Sequence, residues 1–227
     1  MIGRKIGDSA ITKSFMTTKN PGPKRDSFAA ALRADLLAGK FPPGTWLKQA
    51  DLEAAYHAAR FEVRIALAEL TTQRLLDHVQ NRGYRVADHT DVEREQLIET
   101  RILLETAACR LIVQRATDEQ ISEFQRLVEA FGGAIETDTS GRVMEINYQL
   151  HRCMYQMTGN SVLIEDIQGL RDRGVPGRTG VISPAYLRTS NSDHFEMLEM
   201  IKRRDGEGLA AVVYRHVNRW RKFSKPN

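Results

Sequence analysis

The side chains of this chain best suited to chemistry are histidines. Asn147 and His151, in the run NYQLH, stand four residues apart, so a helix would project both from one face. His194 opens the next-to-last predicted helix and His216 lies on the last. Imidazole nitrogens and an amide oxygen are metal donors, and bundles of helices build internal metal sites from such inward-facing groups. Spacing alone does not gather them, because histidines scattered over helices more often pack or face water. A second set of side chains is basic. Arg60 and Arg64 are four apart beside an apolar stripe, placed to reach phosphates or guanine O6 and N7. Arg82 and Arg85 bracket Gly83, whose lack of a side chain lets backbone approach a phosphate or a minor groove. Phe61, Ile65 and Ala68 occupy the next sector of that helix, where they would contact thymine methyls or pack on the other domain. No HExxH or CxxC spacing is present.

These side chains need elements to hold them. Phe28, Leu32 and Leu36 recur at helical spacing after Asp26 or Ser27, either a plausible cap, and Gly39 ends the run. FPPG at 41–44 cannot continue a helix. A short helix over 49–56 and a longer one over 59–73 follow, the latter burying Val63, Ala66, Leu67 and Leu70. After Leu76 the period changes to that of a hairpin tipped by Asn81-Arg82-Gly83. Helix, turn, helix, helix, hairpin over 26–88 is a winged helix-turn-helix. Residues 1–25 read as a flexible arm and 89–91 as a linker. From Val92 to 224 the periodicity predicts an all-α unit, with helices near 92–115, 118–135, 141–158, 160–173, 193–204 and 206–223. Asp118, Thr139 or Ser140, and Asp193 are candidate first-turn or capping residues. The segment 171–192, with three Gly and two Pro, reads as largely irregular, a flap over a pocket or a plain loop.

Composition bounds the function. The 227 residues are 41% hydrophobic and 27% charged, as in ordinary globular proteins. No apolar run approaches the ~20 residues of a membrane span, and no signal-peptide block is evident, so a cytoplasmic protein is expected. Cys109 and Cys153 read as reduced thiols. The net charge of +4 is unevenly placed: residues 1–90 hold 14 Lys and Arg against 9 Asp and Glu, and the remainder 19 against 20. A basic unit joined to a neutral one is the footprint of a nucleic-acid reader with a second role.

Residues 28–87 resemble the winged helix of the GntR family of bacterial regulators. FPPGTWL at 41–47 is similar to that family's loop between its first two helices, and AARFEVRIAL at 58–67 to its recognition helix. NRG at 81–83 is similar to its wing tip. The resemblance implies DNA binding by Arg60, Arg64, Arg82 and Gly83, and Phe61, which departs from the family, is where this protein's own site preference is expected. Lys48 and Gln49 stand where the second helix usually supplies an Arg or Glu. Ala59 departs from the usual capping Ser or Thr, and Phe61, Glu62 and Ile65 replace Thr, Pro and Glu.

NYQLHRCMYQMTGN at 147–160, the two histidine-bearing stretches within 193–217, and RILLETAACRL at 101–111 resemble the FCD-type ligand-binding domain of the FadR-like subgroup. That resemblance implies a divalent metal, zinc or nickel, on Asn147, His151, His194 and His216, with Asn147 a weaker ligand than an Asp. It also implies an effector carboxylate clamped by Arg101. Arg101 alternatively pairs with Glu105 in an exposed i, i+4 ion pair.

The expected protein is a homodimeric, metabolite-responsive regulator, a repressor released from an inverted-repeat operator in double-stranded DNA by a small organic acid. Three rivals stand beside it: a metal-dependent hydrolase, a constitutive DNA-binding protein without effector, and a pure protein-interaction module.

Overall fold

The computed structural model describes residues 28–137, 140–174 and 183–223, so the arm at 1–25 and the candidate caps Asp26 and Ser27 lie outside the described residues. The N-terminal elements are α1 (Phe28–Leu37), β1 (Trp46–Leu47), α2 (Gln49–Tyr56), α3 (Arg60–Thr72), β2 (Leu76–Val79) and β3 (Gly83–Val86). Leu32, Leu36, Leu52, Val63, Leu67, Leu70 and Val86 are buried together, so each helix contributes the face its periodicity marks. Where a two-stranded hairpin is expected, the sheet has three antiparallel strands in the order β1-β3-β2. Trp46 opposes Arg85 and Leu47 opposes Tyr84. Two residues after a PPG turn carry no readable period, which is why β1 is silent in the sequence. The hairpin turns through Asn81 and Gly83 at φ of 61° and 100°, the latter a conformation for glycine alone.

Thr90 starts the second unit. Its hydroxyl accepts from the Glu93 N–H at 3.2 Å while Glu93 accepts from the Thr90 N–H at 2.7 Å, a reciprocal cap. The helices are α4 (Asp91–Arg115), α5 (Asp118–Thr137), α6 (Ser140–Gln156), α7 (Ser161–Gly174), α8 (Pro184–Lys202) and α9 (Gly206–Asn218). A 3₁₀ turn over Arg219–Phe223 replaces the continuous helix expected to 223. α4 lies against α9 and α7, and α5 against α6 and α8. Their shared core includes Ile112, Phe124, Phe131, Leu150, Met154 and Leu198, and is separate from the N-terminal one.

Two expectations fail here. The stretch 171–192 is not largely irregular: Arg171–Gly174 ends α7, and α8 begins at Pro184 rather than near 193. Residues 175–182, the heart of the expected flap, lie outside the described residues. Ser183 caps the Tyr186 N–H and Pro184 suits a first turn, while Ser190 and Asn191 are buried against the bundle. Packing thus carries a Ser- and Asn-rich run into helix against its propensity. Asp193 accordingly caps nothing; it sits mid-helix. At α5 the cap is Thr117, bonded reciprocally with Gln120, and Asp118 occupies the first turn.

Cys109 is a free, buried thiol and Cys153 a free, half-buried one. Burial pushes them up to about 12 and about 11 respectively, so neither is a reactive thiolate. Among the described residues no helix is long and apolar enough to cross a membrane. The two units touch through Arg33 of α1, which donates to Tyr148 Oη of α6 at 3.2 Å and to the buried Asp172 of α7.

Candidate metal centre and nucleic-acid interface

Three helices deliver one histidine each to a single point in the bundle. His151 (α6), His194 (α8) and His216 (α9) are buried, with ligand atoms within 4.8 Å of one another. Ring centroids are 4.9 Å apart for His151–His194 and His194–His216, and 5.1 Å for His151–His216. Each histidine lies on the inward face of an amphipathic helix; α6 buries Ile146 and Leu150 on the face that carries His151. Both ring nitrogens of His151 and of His194 are buried without a hydrogen-bond partner, as is Asn147 Oδ1 one turn before His151. Buried polar atoms are ordinarily satisfied, so the unpartnered nitrogens of His151 and His194, converging with His216, fit a cation held among the three rings.

The third histidine is oriented. His216 Nδ1 lies 3.3 Å from Asp193 Oδ2. Asp193 also accepts from Arg215 at 3.0 Å and Arg219 at 2.8 Å. Burial works to raise the Asp193 carboxyl, but the bond from His216 and the two guanidiniums hold it below its ordinary value. A carboxylate only accepts, so Nδ1 carries the proton and Nε2 keeps its lone pair. Burial pushes His151 and His194 well below the ordinary imidazole value, with the charge of Arg171 adding to the effect. Burial lowers His216 as well, opposed by Asp193. All three rings are therefore neutral donors at physiological pH.

A second buried cluster adjoins this one. Arg101 Nε donates to Glu105 Oε1 at 2.7 Å, Arg171 Nη1 lies 3.4 Å from Glu105 Oε2, and the Tyr155 hydroxyl donates to the same carboxylate. The Arg101–Glu105 pair expected at the surface is in fact interior, with Glu105 fully buried. Burial acts to raise Glu105, but Arg101 and Arg171 overcome it and keep the carboxylate ionised. Two guanidiniums against one carboxylate leave an excess positive charge beside the histidines. Arg171, Tyr155 and Asp193 escape a reading of the sequence: charge and aromaticity mark surface residues equally, and only inter-helix packing brings these inward.

On the other unit, Arg60, Phe61, Arg64 and Ile65 project from α3 into solvent, Phe61 with 70% and Ile65 with 50% of its surface exposed. Glu62 accepts from the Ala59 N–H at 2.9 Å, so half of a capping box survives where Ala59 has no oxygen to contribute. Lys48, Gln49, Arg82 and Gly83 border one surface groove together with Trp46. The Arg82 guanidinium stands 4.8 Å over the Trp46 ring, a contact that spacing alone does not reveal. Arg85, by contrast, is turned to Asp77 on the neighbouring strand at 3.2 Å.

Residues 96–219, more than half the chain, match the profile of the FCD domain, and residues 24–86 match that of the bacterial regulatory proteins of the gntR family. The chain belongs to the GntR family, in its FCD-bearing branch. It is 26% identical over 186 residues to the Nta operon transcriptional regulator of Aminobacter aminovorans, covering 79% of this chain and 84% of that one. It is 25% identical over 202 residues to the transcriptional regulator McbR of Escherichia coli, covering 83% and 91%. Among solved structures, E. coli McbR/YncC superposes with a TM-score of 0.79 at 23% identity, covering 87% of this chain and 94% of that one. A GntR regulator from Rhodococcus sp. RHA1 gives a TM-score of 0.70 at 20% identity, covering 86% and 94%. Membership carries the coarse function: this GntR-family protein is a DNA-binding transcription regulator, and its relatives are regulators rather than enzymes.

Proposed function

We propose that the protein is a one-component, cytoplasmic repressor of the FadR-like subgroup that reads an inverted repeat as a homodimer and releases it when a small carboxylate binds the helical unit. Residues 26–88 would be the reader and 92–224 the effector-binding and dimerising unit, joined by 89–91. Lys48, Gln49, Arg60, Phe61, Arg64, Arg82 and Gly83 would meet the duplex. The observation that carries the sensing half is the buried His151–His194–His216 cluster, in which the ring nitrogens of His151 and His194 have no partner, with the unpartnered Asn147 Oδ1 one helical turn before His151. Three neutral imidazoles and an amide suit zinc or nickel. Bound there, the ion would supply a Lewis-acidic position for one effector oxygen. This chain's own residues would do the rest: Asp193 fixes the His216 tautomer, and the excess charge of Arg101 and Arg171 attracts the carboxylate. Regulation then requires only that the acid favour one arrangement of the two readers over the other.

The test is a mobility shift on DNA flanking the protein's own gene, with zinc or EDTA and a panel of organic acids. Specific binding weakened by one acid, only when zinc is present, is the expected result. Specific binding that no acid alters would leave a constitutive DNA-binding protein.

A further inference from the structure

Two arginines without acidic partners meet where the units join. Arg74, in the turn after α3, and Arg173, in the last turn of α7, line one largely polar cavity of about 940 Å³ between the DNA-reading unit and the bundle. Neither forms an ion pair among the described residues, and Arg173 Nε is buried without a hydrogen-bond partner. His89, between β3 and α4, borders the same cavity, and its Nε2 is also buried and unpartnered. The three carboxylates of the lining are engaged elsewhere. Asp77 faces Arg85 at 3.2 Å and Asp88 faces Arg94 at 3.9 Å. Glu93 accepts from the Thr90 N–H at 2.7 Å and from its hydroxyl at 2.9 Å. Burial and the charge of Arg74 outweigh that of Glu93 and hold Arg173 below the ordinary guanidinium value. None of His151, His194 and His216 lines this cavity, so it is separate from the metal centre.

We propose that this junction binds an oxyanion of the phosphate or sulfate class, free or carried on a small metabolite, between Arg74 of the reader and Arg173 of the bundle. Guanidiniums present paired N–H donors that match the oxygens of such an anion, and its double charge balances two of them. His89 Nε2 supplies a further donor. A bare anion fills only part of the cavity, and Thr71, Gln96 and Thr100 offer polar surface to an attached organic group. The site stands apart from the proposed DNA-contacting side chains: Arg74 follows the C-terminal end of α3, whose length separates it from Arg60 by roughly 20 Å. The anion turns a repulsive approach of two cations into a bridge. Its occupancy therefore sets how firmly the reader is held against the bundle.

Isothermal titration of the full chain with sodium sulfate, sodium phosphate and glycerol phosphate, at constant ionic strength, tests this. One site per chain is expected. Arg74 has a φ of 58°, a conformation that suits glycine, so Arg74→Gly should keep its melting temperature and yet bind these anions about tenfold or more weakly. Arg173→Gln, which removes the charge but keeps most of the side chain, is expected to weaken binding to a similar degree. Glycerol phosphate binding more tightly than phosphate would identify a phosphorylated metabolite as the ligand, and equal affinities the free anion. Binding that both variants retain, or no binding of any of the three probes, would overturn the proposal.

Discussion

At the scale of single residues the chemistry turns on which groups stay neutral. His151 and His194 are depressed in the folded chain and titrate near 6.5 once unfolded. Below about pH 6.5 the unfolded state therefore binds more protons, and metal-free protein loses stability as pH falls toward the folded values, by up to about 1.4 kcal/mol per pH unit for each ring. Urea unfolding at pH 7.5 and 5.5 should show the midpoint dropping in the wild type and dropping less in His194→Asn. Asn147 gives a second prediction. Replacing its neutral amide by a carboxylate, Asn147→Asp, should raise zinc affinity about tenfold or more in competition with a chromophoric chelator. Unchanged affinity would remove Asn147 from the ligand set. In the sequence, helical spacing places Asn147 and His151 on one face, but only the family resemblance joins His194 and His216 to them; spacing alone does not gather the set. Asp193 reads there as a helix-start residue because nothing local reveals that α9 and the turn after it bring Arg215, His216 and Arg219 to it.

Elements determine whether those residues are presented. The apolar stripe of α3 buries Val63, Ala66, Leu67 and Leu70, which leaves Arg60, Phe61 and Arg64 facing outward. Phe61→Ala should change unfolding free energy by less than about 0.5 kcal/mol, as for other exposed sites. Its effect should instead be on sequence preference: selection from a random duplex library should lose discrimination at a T·A pair, and a uniform loss over all sequences would argue against methyl contact. α4 makes the opposite case. Glu105 is fully buried between Arg101, Arg171 and Tyr155, so Glu105→Ala strands two guanidiniums in the interior and should cost about 3–5 kcal/mol in chemical denaturation. Periodicity finds nearly every helix, since most bury one face. It fails at the start of α8, where Thr189, Ser190, Asn191 and Ser192 mimic a loop, and at β1, too short to show alternation.

At the scale of the molecule, Arg33 joins the two units through Tyr148 and Asp172. Asp172 is buried and Arg33 reaches it from the other unit, so Arg33→Gln leaves a buried carboxylate without its partner. Calorimetry is expected to resolve two thermal transitions in that variant where the wild type shows one. A further consequence follows from the pairing of α4, the first helix of the bundle, with α9, the last. During synthesis the DNA reader has all its core residues once Val86 has emerged, whereas α4 waits for a partner far downstream in the chain. His216 arrives with that partner. A nascent chain can thus close the core of its DNA-reading unit well before that of the helical unit, and a metal held at the histidines would act on the last step of folding.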